Sequence, residues 1–245
     1  MSSTSETATE NRISGSRFKV YHLRKKRIFA KNTTLKEIKH KLLRLRAATP
    51  EDAPFIAWAI AAALHKEESD DGLHSLFCEI CQREDTLYSW RNTIIADYEG
   101  KAIGALTCYD GARYRNLRDI TFPLFSGTVN YELSQMEMET SAGEFYIDSM
   151  SVLPEYRKQG VATALLKTGI DRARELSIDK ASLVVLPSNT GAKRLYESLG
   201  FEYEKDMFLF CENYQKYCLG LVGKTPETKQ GHDTAPLSLY HNVNG

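Results

Sequence analysis

Residues 144 to 186 constrain the fold of this chain more than any other stretch. EFYIDSMSV (144–152) reads as a strand, EYRKQG as a basic turn containing a glycine, Val161 to Leu176 as an apolar-periodic helix, and ASLVVL (181–186) as a mostly apolar strand of the buried kind. A strand, a helix and a second strand in that order make one unit of a sheet with a helix laid across its face. Antiparallel hairpins flank the unit. NTIIADY and AIGALTCY meet across Glu99-Gly100-Lys101, and Phe201 to Phe210 runs back as Tyr214 to Leu221. Crossover and hairpins together predict an α/β fold with a mixed sheet rather than a doubly wound parallel one.

The remaining elements complete the order strand, two helices, three strands, helix, strand, helix, two strands. KLLRLRAA, from Lys41, gives the first strand. Thr49 at the N-cap, Pro50 at the first helical position and Asp52 at the third mark a helix start, and Ala53, Ile56, Ala57, Ile60 and Leu64 carry its apolar face. Leu73, Leu76, Phe77, Ile80 and Cys81 form the stripe of the next helix. Ala192, Leu195, Tyr196 and Leu199 mark the last one, which Gly200 ends. Residues 109 to 143 lack a clear period, so this connection is a functional loop or carries a local helix.

With 245 residues, 42% of them hydrophobic, the chain can bury the core of one domain with tails. Residues 1–41 form a flexible arm, 42–222 the domain and 223–245 a polar tail. Lys+Arg and Asp+Glu each number 32, yet residues 1 to 46 carry 13 Lys/Arg against 3 Asp/Glu, leaving a basic arm on an acidic body. Such an arm suits a nucleic acid, though the balanced whole does not favour that partner. Five cysteines, an odd number without a signal segment, indicate reduced thiols and a cytoplasmic setting. Cys78 and Cys81 form a C-x-x-C, but no second pair follows at zinc-site spacing, so no metal is expected and the helix stripe accounts for Cys81. No run of about 18 apolar residues is present to span a membrane.

The turn after residue 152 is the chemical feature. A strand feeding a turn and then a helix leaves free backbone N–H groups at the positive end of the helix dipole, where an anion can sit. Arg157 and Lys158 add charge, and Gly160 and Ala162 allow close approach of the backbone. The turn suits phosphate; taken alone, its basic residues could equally be solvated.

Arg157-Lys158-Gln159-Gly160-Val161-Ala162 resembles the R/Q-x-x-G-x-G/A signature of the GNAT superfamily of N-acetyltransferases, with Ala162 at the second glycine. Asn189, Ala192, Tyr196 and Gly200-Phe201 resemble a second segment of the same family, in the right order downstream. The resemblance covers roughly residues 42 to 222 and implies a mixed, mostly antiparallel central sheet with flanking helices. It also implies acetyl-CoA as donor and an amine as acceptor. Arg157, Lys158, Gln159, Gly160, Val161, Ala162 and Thr163 would hold the pyrophosphate. Met150, Ser151 and Val152 would offer main-chain groups to the pantetheine arm, across a gap opened by a strand bulge. Asn189 would bond the pantetheine.

Acetyl transfer to an amine makes two demands. An amine of pKa about 10 must lose a proton before it attacks, and a leaving thiolate of pKa about 8.5 departs more easily once protonated. The resemblance makes Tyr196 the candidate proton donor, beside which its place in an apolar stripe suggests core packing. Asp148 is the candidate acceptor, with Glu144 on the same strand as a second. The connection from Asp110 to Gly143 lies where the family builds its acceptor pocket. It offers Tyr109, Tyr114, Phe122, Phe125 and Tyr131 with Asp110, Asp119, Glu132, Glu137 and Glu139, suited either to a cationic amine or to a packed lid with solvated acids. Two alternatives stand beside an enzyme: a non-catalytic acyl-CoA-binding regulator, and an RNA- or ribosome-associated module using the arm.

Overall fold

A computed structural model describes residues 42–64, 71–125 and 136–221. The arm (1–41) and tail (223–245), with Tyr131 and Glu132, lie outside the described residues. Seven strands form one sheet: β1 (Leu43–Ala47), β2 (Thr93–Tyr98), β3 (Lys101–Asp110), β4 (Glu144–Val152), β5 (Lys180–Val185), β6 (Glu202–Leu209) and β7 (Glu212–Gly220), in spatial order β1-β2-β3-β4-β5-β7-β6. Only β4 and β5 run parallel. The helix α4 (Val161–Glu175) makes the crossover between them. This is the mixed sheet expected from the crossover and the hairpins, and it is mostly antiparallel, as the family resemblance implies.

Three helices precede α4: α1 (Ala53–Ala63), α2 (Asp71–Gln82) and α3 (Tyr114–Thr121); α5 (Thr190–Ser198) follows β5. The start of α1 forms as a tight turn over Pro50–Asp52. The Asp52 carboxylate reaches back to accept from the Thr49 N–H at 2.8 Å and takes both guanidinium nitrogens of Arg46, at 2.7 and 2.9 Å. The connection after β3 carries the local helix α3, entered through Asp110, whose carboxylate accepts from the Ala112 N–H at 2.8 Å. Gly200, at φ +90°, stops α5 in a conformation that L side chains rarely adopt.

Both faces of the sheet are covered. On one, Leu165, Leu166 and Ile170 of α4 meet Ile103, Leu106, Phe145, Ile147 and Leu183. On the other, Ile56 and Ile60 of α1 and Phe77 and Ile80 of α2 meet Ile95, Ala105, Tyr109 and Tyr146. Burying each large aliphatic side chain contributes about 1.5–3 kcal/mol, and β5 supplies Leu183 and Val185 to the first of these cores although it also carries the polar residues Lys180 and Ser182. The C-x-x-C falls on α2. Cys81 is fully buried in the second core, where burial pushes its thiol pKa well up, and Cys78 is half-buried beside His74.

Candidate active site

The sheet parts at its centre. The parallel pairing of β4 with β5 runs from Glu144–Lys180 to Ile147–Leu183 and stops there. At the same level the β3–β4 register shifts, Thr107 facing Ser149 and Cys108 facing Ile147, so that Asp148 is the extra residue of a bulge. A bulge bends its strand, and here it turns β4 away from β5. Beyond Ile147, no strand among the described residues pairs with the β4 main-chain groups facing away from β3. A cavity of about 460 Å³ lies along this opening, with Met150 and Ser151 on one wall and Val184, Val185 and Leu186 on the other. Ser151 secures the first wall by donating from Oγ to the Ala59 carbonyl of α1 at 2.7 Å.

The cavity extends to Arg157, the first residue of the basic turn. The Arg157 Nε–H donates to the Val152 carbonyl at 2.9 Å, folding the turn back onto the end of β4, while Gln159 closes it by donating to the Glu155 carbonyl at 3.1 Å. Lys158 (φ +59°) and Gly160 (φ +84°) both adopt left-handed conformations immediately before α4. Left-handed residues followed by right-handed ones turn successive N–H groups into one concavity suited to an anion, and the first turn of α4 adds its own unpaired donors. Arg157, Lys158 and Gly160 are exposed, Gln159, Ala162 and Thr163 half-buried, and Val161 buried as the first residue of the α4 core. Residues 158 to 163 and Val152 do not line the cavity itself.

Asp148, Met150, Ser151, Arg157, Asn189 and Tyr196 are therefore brought together. Asn189 caps α5, its Oδ1 accepting from the Ala192 N–H at 3.2 Å, which leaves its amide NH₂ as the group able to donate to a ligand. Tyr196 packs its ring on Phe201, centroids 6.1 Å apart, and burial pushes its phenol up to about 12, so it keeps its proton at neutral pH. Asp148 accepts from the Tyr109 hydroxyl at 2.6 Å. Burial first, then the charge of Glu139, pushes its carboxyl up to about 8, against the opposing effect of that hydrogen bond.

Glu144 is the exception. It lies at the start of β4, outside the cavity, and its carboxylate is enclosed by the Lys216 ammonium at 2.7 Å, the Lys180 ammonium at 2.8 Å and the hydroxyls of Ser182 and Thr140 at 2.8 and 2.9 Å. Although burial alone would raise its pKa, these partners hold it down to about 2. Its carboxylate belongs to a buried ion-pair network and does not line the cavity. Glu144→Gln is expected to cost about 3–5 kcal/mol, because it strands the buried Lys216 ammonium, measured by urea denaturation at neutral pH. Since the folded pKa is depressed, this stabilisation is present above about pH 4.3 and lost as pH falls toward 2. Equal stability of the two proteins at pH 7 would contradict the assignment.

The acceptor-side connection divides. Phe122 and Phe125 are buried in the α2 core, and the Tyr109 and Tyr114 rings stack at 6.5 Å within it, so these four rings pack rather than line a pocket. Asp110 is used in the turn before α3, Asp119 is exposed, and Glu137 accepts from the Phe208 N–H at 3.2 Å. Glu139 alone of those acids enters the cavity. Spacing could not single it out, since it belongs to no helix or strand and is placed by side chains from three other elements, Tyr114 of α3, Tyr146 of β4 and Lys216 of β7.

A family model for the acetyltransferase (GNAT) family matches residues 55–201, more than half of the chain, and the chain belongs to that family. Part of the chain, 59 residues, is 44% identical to the mycothiol acetyltransferase of Thermobispora bispora, and 68 residues are 41% identical to YafP, an uncharacterized N-acetyltransferase of Escherichia coli K12. These stretches cover 24% and 28% of this chain but only 19% and 40% of the relatives. Among solved structures, an acetyltransferase superposes with a TM-score of 0.60 at 23% identity, covering 73% of this chain and 99% of its own. An N-acetyltransferase from Staphylococcus aureus Mu50 gives 0.59 at 20%, covering 72% and 100%. At these identities the superpositions establish the fold. Among the described residues, no helix is long and apolar enough to cross a membrane.

Proposed function

We propose that this acetyltransferase takes its acetyl group from acetyl-CoA and transfers it to a primary amine. The observation that carries the proposal is the cleft itself: two strands parted at a bulge, with unpaired main chain along one wall, leading to a left-handed turn at the head of α4. The turn of residues 157 to 163 would hold the pyrophosphate through backbone N–H groups. The free edge of β4 at Met150, Ser151 and Val152 would bond the pantetheine amides as a strand bonds its neighbour, with Asn189 donating from the opposite side. Acetyl-CoA supplies an acetyl group activated as a thioester.

Asp148 at the bulge and Tyr196 on α5 account for the proton traffic. As the amine nitrogen bonds to the thioester carbon and the carbon–sulfur bond breaks, Asp148 accepts the proton the amine must lose, directly or through a water. Tyr196 donates its phenolic proton to the departing sulfur. A carboxyl titrating near 8 is a far better base than one near 4, and the Tyr196 phenol carries its proton at neutral pH.

The test is a screen of amines and peptides with acetyl-CoA, following free thiol. Acceptor-dependent release is expected. A protein that binds acetyl-CoA yet releases no thiol with any acceptor would be a binding module and not an enzyme of this kind. Within an active system, Tyr196→Phe is expected to lower turnover by about 10²-fold with little change in acetyl-CoA affinity or stability, since the ring that packs on Phe201 is retained. Full turnover in that variant, with chemistry shown to limit the rate, would return Tyr196 to core packing.

A further inference from the structure

Asp148 and Tyr196 leave a second carboxylate of the same cleft without a role. Glu139, only 6% exposed, lines the cavity with Asp148 and is fixed at three points. The Tyr114 hydroxyl donates to Oε1 at 2.8 Å, the Tyr146 hydroxyl donates to Oε2 at 2.5 Å, and the main-chain carbonyl accepts from the Lys216 ammonium at 3.1 Å. Lys216 is itself locked onto Glu144 at 2.7 Å, so the ion pair at the start of β4 clamps the segment that carries Glu139. The rings of Tyr109, Tyr114 and Tyr146 pack on one another, with centroids between 5.9 and 6.5 Å apart, which holds the phenols on their acceptors. Among the described residues the direct partners of the Glu139 carboxylate are these neutral phenols, and no lysine, arginine or histidine nitrogen lies within 4.0 Å of it.

Burial raises the Glu139 pKa, while the Tyr146 and Tyr114 hydrogen bonds and the charges of Arg118 and Lys216 act the other way, so a positive group brought to this carboxyl from the cleft would hold it ionised. The amine that reacts cannot be that group throughout, because it gives up its proton before it attacks. A second positive group on the acceptor keeps its charge through the reaction. The other walls of the cavity suit such a molecule: Tyr88, Phe210 and Tyr214 offer aromatic surface to a chain of methylenes and to a cation.

We propose that Glu139 is a specificity-determining residue that binds a second positively charged group of the acceptor, so that the enzyme selects diamine-like substrates over monoamines. The inference rests on the acetyl-transfer reading of the cleft. It is tested by measuring free thiol with acetyl-CoA and a series of α,ω-diaminoalkanes, each against the n-alkylamine of equal chain length. Wild-type kcat/KM is expected to favour the best diamine by about 30-fold or more. Glu139→Gln should bring that ratio close to one, through a raised KM for the diamine. Amine acetylation with a wild-type ratio near one overturns this inference alone, as does a ratio that survives in Glu139→Gln. Acetylation of no amine, with acetyl-CoA shown to bind, overturns the acetyl-transfer reading and this inference with it. Should Glu139→Gln fail to fold, the wild-type ratio still decides, and Glu139→Asp, which keeps the charge on a shorter arm, is expected to lower the ratio without removing it.

Discussion

Gly160→Glu is expected to abolish acetyl-CoA binding in a protein that still folds. Gly160 sits at φ +84° as the N-cap of α4, where an L residue is strained by about 1–2 kcal/mol, an amount a domain of this size can absorb. The larger effect is local. A side chain at the head of the helix obstructs the concavity of N–H groups, and a carboxylate there opposes the phosphate charge those groups would receive. Gly160→Ala separates the two causes, because it strains and narrows the turn without adding charge; it should weaken binding less. Titration calorimetry with acetyl-CoA measures both, with circular dichroism confirming the fold. Unchanged affinity in folded Gly160→Glu would remove the phosphate from this turn.

Asp148→Asn is expected to lower turnover by about 10³-fold, within the range for removing a general base. The pH dependence identifies the cause. Because the carboxyl is pushed up to about 8, the basic form accumulates as pH rises through that value, and wild-type kcat/KM should rise with it. The Asn variant should keep only the rise due to the amine's own deprotonation, nearer pH 10. Stability carries the same signature with the opposite sign. A carboxyl whose folded pKa lies above its unfolded value binds more protons when folded, so wild-type stability falls as pH rises from about 4 to about 8. Asp148→Asn, which cannot ionise, should lose that decline, and its stability at pH 8 should equal or exceed the wild type's. A variant with the wild-type pH–rate profile would place the base elsewhere.

The two predictions differ in how far the sequence led to them. Gly160 is legible from its neighbours: a strand, a basic turn and an apolar-periodic helix occur in direct succession, and local propensity and capping fix such a turn. Its left-handed conformation follows from the same facts, though that of Lys158 does not, since a lysine carries no signal for positive φ. Asp148 could be found as an acid on a central strand. Its role in opening the sheet could not, because a bulge depends on the register of the opposite strand, here the shift between Thr107 and Cys108.

Glu144 and Glu139 show where sequence spacing gives out. Placed four residues before Asp148 on one strand, Glu144 looks like its equal; the fold instead sets it against Lys216 and Lys180, brought from residues 72 and 36 positions away. Glu139, one acid among several in an aperiodic connection, is drawn into the cleft by hydroxyls of Tyr114 and Tyr146. Tyr109, Tyr114, Phe122 and Phe125 went the other way, into the core.

By itself the sequence determined the elements other than α3, their order, the mixed sheet and the turn at the head of α4, because these rest on interactions between residues near one another in the chain. The tertiary structure alone decided how β4 and β5 part, which carboxylate is neutralised and which faces the cleft. Those outcomes depend on burial and on charges that meet only when distant segments pack, and a carboxylate's chemistry is set by its neighbours in space.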